Sequence, residues 1–304
     1  MADNTLRTFG DTSRAEDVLD IIVNISPAET PIYSGLKRSA DASNTLHEFL
    51  TASLAAAADN AQVEGSAPTY GSLTQPTRVT NVVQLFRKQY SVSDTQRAVS
   101  HYGMSDPFTY QMQKSMKEFA RDIELTLWRG SRASGNASVA RRLAGILNSV
   151  TTNATALTSA TTLTETILNN LIDLSWDQTD DVVDELYCGA WVKRKISGFT
   201  AGSTKFTEVT DKRLVNAVDV YESDFGIHKI FKSRYIGQDA ASNDILCGIT
   251  NKYWGIAYLT GRSPKAIPIA KTGSSTEGMI EGELTLEALA EQANFKATGI
   301  HPSS

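Results

Sequence analysis

The four histidines are the side chains best suited to catalysis or metal binding, but they are scattered along the chain. Metal-binding histidines usually recur a few residues apart or close to cysteines, and neither arrangement occurs here. One local grouping remains, in which His228 follows Asp219 and Glu222 closely enough to form an acid–base site. We keep a soluble oligomeric enzyme built on these three residues as an alternative hypothesis. The histidines are His47, His101, His228 and His301.

Two groups of charged residues could bind ions. The first group consists of four carboxylates within residues 180–185, which could hold a cation. Their spacing is more typical of a solvated turn. The second group comprises the basic pairs Arg87-Lys88 and Arg141-Arg142. These pairs could contact phosphate, although we expect ion pairs with a neighbouring subunit or with a helix. The carboxylates are Asp180, Asp181, Asp184 and Glu185.

Motifs for cofactor binding and covalent catalysis do not occur. The chain has no GxGxxG, GxxxxGK[ST], HExxH, EF-hand loop or GxSxG. We therefore predict no catalytic residue, no metal ligand and no cofactor, in a protein that is not an enzyme. Cys188 and Cys247 belong to no CxxC motif and have no histidine beside them, so we expect two buried reduced thiols.

The composition is that of a globular protein with a mild excess of acid. The 304 residues include 29 Lys and Arg against 34 Asp and Glu, which gives a net charge of −5. This charge disfavours a protein that wraps nucleic acid on a basic surface, but it is compatible with one that encloses it. No signal peptide and no apolar run of about 18 residues are present, so we expect a cytoplasm-like compartment and no membrane span.

The strongest helix signal runs from Asp106 to Ser131. Ser105 or Asp106 can cap its start, and Gly130 or the Gly135-Asn136 pair can supply a left-handed residue at its end. The predicted apolar stripe is Phe108, Met112, Met116, Phe119, Ile123 and Leu127. The predicted polar face is Lys114, Lys117, Glu118, Arg121, Asp122 and Glu124.

The sequence predicts a protruding β-hairpin before this helix. Residues 47–50 predict a short strand, and Arg78 to Val92 predicts one long strand because it is rich in Val, Tyr and Phe. Between them, residues 51–75 are mostly Ala, Ser, Thr and Gly and cannot bury much apolar surface of their own. An extended hairpin is marginal alone, so we expect this one to lie on another copy of the chain.

The remainder mixes helices and strands without a βαβ rhythm, which favours an α+β fold. Residues 141–150 predict a strand-like return. Thr162 and Glu165 fit a capping box for a helix that ends near Trp176. Residues 214–221 and 226–236 predict strands on either side of a turn.

The order of these features, together with several sequence stretches, resembles a known family. The chain is similar to the major capsid proteins of tailed bacteriophages with the Hong Kong 97-type fold, and most similar to a podophage-associated subfamily. The stretches are NISPAETPIYSGL (24–36), LAAAADNAQVEG (54–65), RVTNVVQLFRKQYSVSDTQRAV (78–99), KEFARDIEL (117–125), RRLAGI (141–146), VYESDFGIHKI (220–230) and AKTGSSTEGMIEGELTLEALAE (270–291).

The resemblance implies an α+β capsid fold with four parts. These are an N-terminal arm (1–48), an extended β-loop (49–93), a peripheral domain with the long spine helix (94–150 and 265–304), and an axial domain (151–264). It implies a structural protein that assembles as pentamers and hexamers into an icosahedral phage head around double-stranded DNA. An encapsulin-like compartment shell is the alternative with the same fold.

The resemblance also implies partners and contact residues. The main partner is the chain itself, with scaffold, portal and decoration proteins as further candidates. DNA is enclosed without sequence-specific binding, and the protein belongs to the virion after assembly in the host cytoplasm. Lys88 is a candidate for the isopeptide cross-link of the type member. The expected subunit contacts are Leu54, Val63, Tyr70, Arg87, Lys88, Tyr90, Arg121 and Asp122.

Overall fold

The computed structural model describes residues 29–68, 70–71, 73–101, 103–158, 161–179, 181–199, 219–271 and 273–301. Most of the predicted N-terminal arm (residues 1–28), Asp180 and the greater part of the predicted strand 214–221 lie outside the described residues. The described helices are α1 (Pro31–Gly35), α2 (Asp94–Ala98), α3 (Pro107–Arg129), α4 (Ile146–Ser149), α5 (Glu165–Gln178) and α6 (Ala190–Phe199).

The strands form two larger sheets and one hairpin. The first half of the chain contributes β1 (Lys37–Arg38), β2 (Leu46–Thr51), β3 (Thr77–Val82), β4 (Gln84–Ser93) and β5 (Ala154–Ala156). The second half contributes β6 (Glu185–Cys188), β7 (Val220–Ser223), β8 (Gly226–Lys232), β9 (Asp244–Ile249), β10 (Trp254–Tyr258), β11 (Lys265–Ile269), β12 (Ser275–Ala288) and β13 (Phe295–Ile300).

The first sheet is organised around β12. Its strand order is β1-β10-β12-β11, and β4 pairs antiparallel with β12 along the edge opposite β10 and β11. Side chains alternate between the two faces of β12. Ile280, Leu284 and Leu286 point into a buried core with Phe119, Ile123 and other residues of α3. The long helix therefore covers one face of this sheet.

The second sheet has the order β5-β13-β9-β6-β8-β7. Its own apolar cluster includes Leu168 and Ile172 of α5 and Val192 and Ile196 of α6. The opposite face of this sheet packs into the first core, where Tyr187 of β6 contacts Trp128 of α3 with ring centroids 5.2 Å apart. The α+β fold class predicted from the sequence is therefore confirmed.

Helix α3 begins where the sequence indicates. The carboxylate of Asp106 accepts hydrogen bonds from the amides of Phe108 and Thr109, and Pro107 occupies the first helical position. The predicted left-handed cap at Gly130 is wrong, because Gly130 has φ −53° and ψ 129°. Gly135 does adopt a positive φ of 74°, but it lies in the following loop.

The buried face of α3 differs from the predicted stripe at two positions. Met116 is 46% exposed, and Ser115 beside it is buried. Glu124 was predicted on the polar face but is completely buried. Its spacing of three and four residues from Leu127 and Trp128 places it on the face that packs against the core.

Gly130 and Gly145 pack backbone against backbone at the end of α3. The amide of Gly145 donates to the carbonyl of Gly130 at 2.8 Å. A Cβ atom on Gly145 would lie 2.7 Å from the amide nitrogen of Gly130 and 2.7 Å from the carbonyl oxygen of Thr126. The loop can approach the helix this closely because neither glycine carries a side chain.

Gly145→Ala is therefore expected to destabilise the chain by about 1–3 kcal/mol, since the added methyl group meets rigid backbone. Chemical denaturation measures the loss. Gly198→Ala is the matched control, because its Cβ would meet nothing within 4 Å and it lies within α6. That control should be neutral or stabilising by about 0.5–1 kcal/mol. Equal unfolding midpoints for the two variants would contradict the packing argument.

Three sequence predictions of local structure are wrong. Residues 78–92 form two strands, because the chain leaves the hairpin at Val83 and β4 joins the first sheet. Residues 141–150 form a loop and the short α4 instead of a strand. Helix α5 is capped by Thr164, whose hydroxyl accepts from the amide of Ile167, so Thr162 is not the cap.

Candidate assembly surfaces

The hairpin of β2 and β3 is held at its base by polar contacts to the first sheet. The Asn81 side chain donates to the carbonyls of Ala144 and Leu286, at 3.2 and 2.7 Å, and accepts from the amide of Ala144 at 2.8 Å. Nε2 of His47 lies 2.5 Å from a carboxylate oxygen of Glu287. Because these groups are largely buried, they fix the direction in which the hairpin leaves the body of the protein.

Residues 52–76, which we call the hairpin tip, connect β2 to β3. Those of them that the structure describes form neither helix nor strand, and they carry large apolar side chains in solvent. Leu54 is 97% exposed, Val63 80%, Tyr70 91% and Leu73 95%. Isolated exposed apolar residues are ordinary, but four on one short excursion indicate a surface that is covered in an assembly. The predicted contact residues Leu54, Val63 and Tyr70 therefore lie on a surface that is free in the single chain.

The other five predicted contact residues already have partners within the chain. Arg87 pairs with Glu281 at 2.7 Å. The amine of Lys88 lies 3.3 Å from Glu118 and 3.4 Å from Asp122, both on α3. The expectation that a basic residue here pairs with a helix is thus confirmed for Lys88, and the nearby carboxylates raise the pKa of its amine despite partial burial.

Tyr90 and Arg121 also make contacts within the chain. The ring of Tyr90 packs against Phe108, with centroids 5.2 Å apart. Nε of Arg121 donates to the hydroxyl of Tyr235 at 2.9 Å. Tyr90, Lys88 and Asp122 thus lie at the contact between β4 and α3, whereas Arg121 contacts Tyr235 in the segment that follows β8. A contact with a second subunit remains a prediction for all eight residues.

Sequence reasoning missed a row of buried glutamates on β12, which we call the glutamate row: Glu281, Glu283 and Glu287. They alternate with core residues and are 5%, 6% and 8% exposed. The guanidinium of Arg262 contacts both Glu281 and Glu283, and Arg141 reaches Glu283 at 3.1 Å. The strict alternation in EGELTLE was the signal that these carboxylates share one face.

Arginines govern the ionisation of Glu281. The hydrogen bond from Arg87 and the charge of Arg262 lower the pKa of this carboxyl below its ordinary value. The Glu281 carboxylate is therefore charged at neutral pH, and it pairs with both Arg87 and Arg262. Such pairs fix the loops that carry Arg141 and Arg262 onto the sheet, because removing one partner leaves a buried charge uncompensated.

Glu124 was also missed, and it joins three parts of the chain. Its carboxylate accepts from the amides of Ile32 and Tyr33 at the start of α1, at 3.2 and 2.8 Å, and from Nε1 of Trp128 at 3.1 Å. Burial raises the pKa of this carboxyl, and the three hydrogen bonds act in the opposite direction. The residue thereby fixes α1 against α3.

The enzyme site proposed from the sequence does not form. Nε2 of His228 contacts the hydroxyl of Ser223 at 2.7 Å, and Nδ1 contacts the carbonyl of Val183 at 2.6 Å. Asp219 instead pairs with Lys193, and Glu222 is exposed. Burial lowers the pKa of His228, as is typical of a neutral structural histidine.

The remaining chemical candidates have structural partners. Asp181 of the acidic cluster forms an ion pair with Lys252 at 2.5 Å. Cys188 and Cys247 are buried free thiols, as predicted, and burial raises the pKa of each to about 12. Within the described ranges no group of three or more His, Cys, Asp and Glu could hold a metal ion, and no helix is long and apolar enough to cross a membrane.

The sequence that forms these sheets, the long helix and the hairpin matches a known protein family. The model of the SU10 major capsid protein family matches residues 3–301, which is nearly the whole chain. The chain belongs to the SU10 major capsid protein family. It is a phage capsid protein and hence a virion component. One curated relative, the major capsid protein of Escherichia phage Phieco32, is 35% identical over 107 residues, which are 35% of this chain and 30% of that protein.

Solved structures share the fold at low sequence identity. The capsid of a native GTA particle matches with a TM-score of 0.67 and 11% identity, covering 98% of this chain and 99% of that one. A solved chain from Microbacterium phage Oxtober96 matches with a TM-score of 0.63 and 13% identity, covering 94% of this chain and 96% of that one. The encapsulin of Synechococcus elongatus matches with a TM-score of 0.60 and 9% identity, covering 96% of this chain and 94% of that one. The Hong Kong 97-type fold expected from the resemblance is confirmed.

Proposed function

We propose that this capsid protein assembles as pentamers and hexamers into a closed icosahedral head that encloses double-stranded DNA, and that it has no enzymatic activity. The observation that carries the proposal is the hairpin tip, with four large apolar side chains that are 80–97% exposed in the single chain. A hairpin fixed at its base and uncovered at its tip is suited to binding the next subunit. The net charge of −5 keeps the shell from binding strongly to DNA.

The parts of the subunit follow from this function. Residues 1–48 serve as the arm, 94–150 and 265–304 as the peripheral domain, and 151–264 as the axial domain that meets its copies at the symmetry axes. Of the loop 49–93, the segment that reaches the neighbour is the tip beyond β2 and β3, because β4 belongs to the sheet of its own chain. Scaffold, portal and decoration proteins are the further candidate partners of such a head.

The test is expression of the chain alone, followed by size-exclusion chromatography and negative-stain microscopy. Closed shells, tubes or isolated five- and six-fold rings are the expected result. A monodisperse monomer that stays small when a candidate scaffold is co-expressed would contradict the proposal.

An encapsulin-like compartment is the second candidate, favoured by the likeness to the encapsulin of Synechococcus elongatus. The contents of particles purified from infected cells distinguish the two functions. Double-stranded DNA supports the phage head, whereas a protein cargo without DNA supports the compartment.

A further inference from the structure

The face of α3 that is turned away from the core is positively charged, although the chain as a whole is acidic. Residues three and four positions apart on a helix lie in line along one face. Four basic residues of α3 follow this spacing, and we call them the basic stripe: Lys114, Lys117, Arg121 and Arg129. Leu125 lies in line between the two arginines and is 44% exposed. At 1.5 Å per residue the stripe is about 22 Å long.

Contacts within the chain do not neutralise the stripe. Both of its lysines are exposed, and neither forms an ion pair with any residue that the structure describes. Nε of Arg121 donates to the hydroxyl of Tyr235 at 2.9 Å. Arg129 donates to the backbone carbonyls of Ile236 and Gln238, both at 3.0 Å. These partners carry no net charge, so they hold the two arginines in place and leave their positive charges uncompensated.

Two acids flank the stripe on the side that faces β4. The carboxylates of Glu118 and Asp122 lie 3.3 and 3.4 Å from the amine of Lys88. With Lys88 included, this surface carries five positive charges against two negative ones. The local charge is therefore opposite in sign to the net charge of −5. Such a surface attracts a polyanion, whereas an acidic surface repels it.

The composition of the stripe favours nucleic acid over a protein partner. The buried centre of a protein–protein interface is apolar and poor in charged residues, whereas Leu125 is the one apolar residue in line with the stripe. A DNA duplex carries one negative charge per about 1.7 Å of its axis. Cations held in a row on a rigid helix are suited to this regular array of phosphates. Contacts to phosphates position a protein on DNA and carry no sequence information.

We propose that the basic stripe of α3 binds the phosphate backbone of the double-stranded DNA that the head encloses. The inference rests on the proposed function and specifies which surface of the subunit meets the DNA. The contact is weak and independent of sequence, because four cations neutralise only a few phosphates in each subunit. Many copies of the stripe in one shell hold the DNA at defined places, while the acidic remainder of the subunit does not bind it.

The salt dependence of DNA binding tests the contact. Fluorescence anisotropy measures how tightly subunits bind a short duplex of arbitrary sequence before they assemble. With four phosphate contacts, the affinity should fall about a hundredfold between about 50 and 200 mM salt. Lys114→Gln with Lys117→Gln should lower the slope of log affinity against log salt by about 1.8. The control, Lys37→Gln with Lys265→Gln, removes the same charge from exposed lysines of β1 and β11 and should keep the slope. No binding at low salt, or equal slopes for the two double variants, would overturn the inference.

Wild-type particles purified from infected cells supply the second measurement. Formaldehyde joins lysine amines to nearby bases, and mass spectrometry identifies the lysines that carry nucleotide adducts. We expect adducts on Lys114 and Lys117 and none on Lys37 and Lys265. DNA-filled particles without adducts on the stripe would overturn the inference and leave the shell function standing. Carbodiimide links from the two stripe lysines to acids of another subunit, in place of adducts, would identify a protein contact and also overturn it. Particles that hold a protein cargo without DNA would overturn both the inference and the phage-head function.

Discussion

Replacing residues 54–73 by a short Gly-Ser turn is expected to abolish particle formation while the chain stays folded. The removed side chains Leu54, Val63, Tyr70 and Leu73 contribute little to the fold of the single chain, because they are almost fully exposed. In an assembly, burying a large apolar side chain is worth about 1.5–3 kcal/mol. Losing four per contact therefore weakens association by several orders of magnitude, since each 1.4 kcal/mol is about tenfold.

Size-exclusion chromatography and negative-stain microscopy measure the loss of particles, and circular dichroism checks the fold. A second pair of variants separates the apolar side chains from loop length. One variant changes the four apolar tip residues to serine, and the matched control changes four polar residues of the same loop, Asn60, Gln62, Thr74 and Gln75, to serine. Particle formation should fail in the first and persist in the control. Wild-type particles from the shortened chain would show that the tip makes no essential subunit contact.

Glu124→Ala is expected to destabilise the chain by about 3–5 kcal/mol. The substitution leaves three buried donors without an acceptor, namely the amides of Ile32 and Tyr33 and the indole of Trp128. Each unsatisfied buried donor costs about 1–3 kcal/mol. The stability of Glu124→Gln should lie between those of the wild type and Glu124→Ala. The amide oxygen of glutamine can replace one carboxylate oxygen as an acceptor, whereas its amide nitrogen faces a hydrogen-bond donor.

Chemical denaturation measures both Glu124 variants, with Asp122→Ala as the control on the same helix. Asp122 is exposed and its carboxylate forms a surface ion pair with Lys88, so its loss should cost less than about 1 kcal/mol. A Glu124→Ala variant as stable as Asp122→Ala would contradict the assigned role of the buried carboxylate.

The pH dependence of folding stability tests the role assigned to Glu124, because its direction can be predicted. Because burial raises its folded pKa above the unfolded value, the folded state binds this proton more readily. The stabilising effect of Glu124 is therefore complete below about pH 4.3 and declines as the pH rises through the folded pKa. The stability difference between wild type and Glu124→Ala should shrink over that range. Glu281 behaves in the opposite way, since its pKa is lowered and its stabilising effect is lost on acidification.

Local signals in the sequence were sufficient wherever one segment determines its own structure. The cap at Asp106, Pro107 and the spacing of apolar residues predicted α3 because these features act within a few residues of one another. The small, polar composition of residues 51–75 predicted an excursion that could not bury itself. Those same signals failed at Val83, where one run of strand-forming residues is divided between the hairpin and the sheet.

The sequence by itself determined the family, the α+β class, the long helix, the hairpin and the absence of known catalytic motifs, because periodicity, capping and composition are local properties. Only the tertiary structure decided that Glu124 is buried, that Glu281 and Glu283 lie beneath arginines, and that Lys88 and Arg87 are paired within the chain. These facts depend on partners that are distant in the sequence, such as Asp122, which is 34 residues from Lys88, and Glu281, which is 194 residues from Arg87. Local patterns carry no information on such contacts, because they are set by the packing of distant strands and helices.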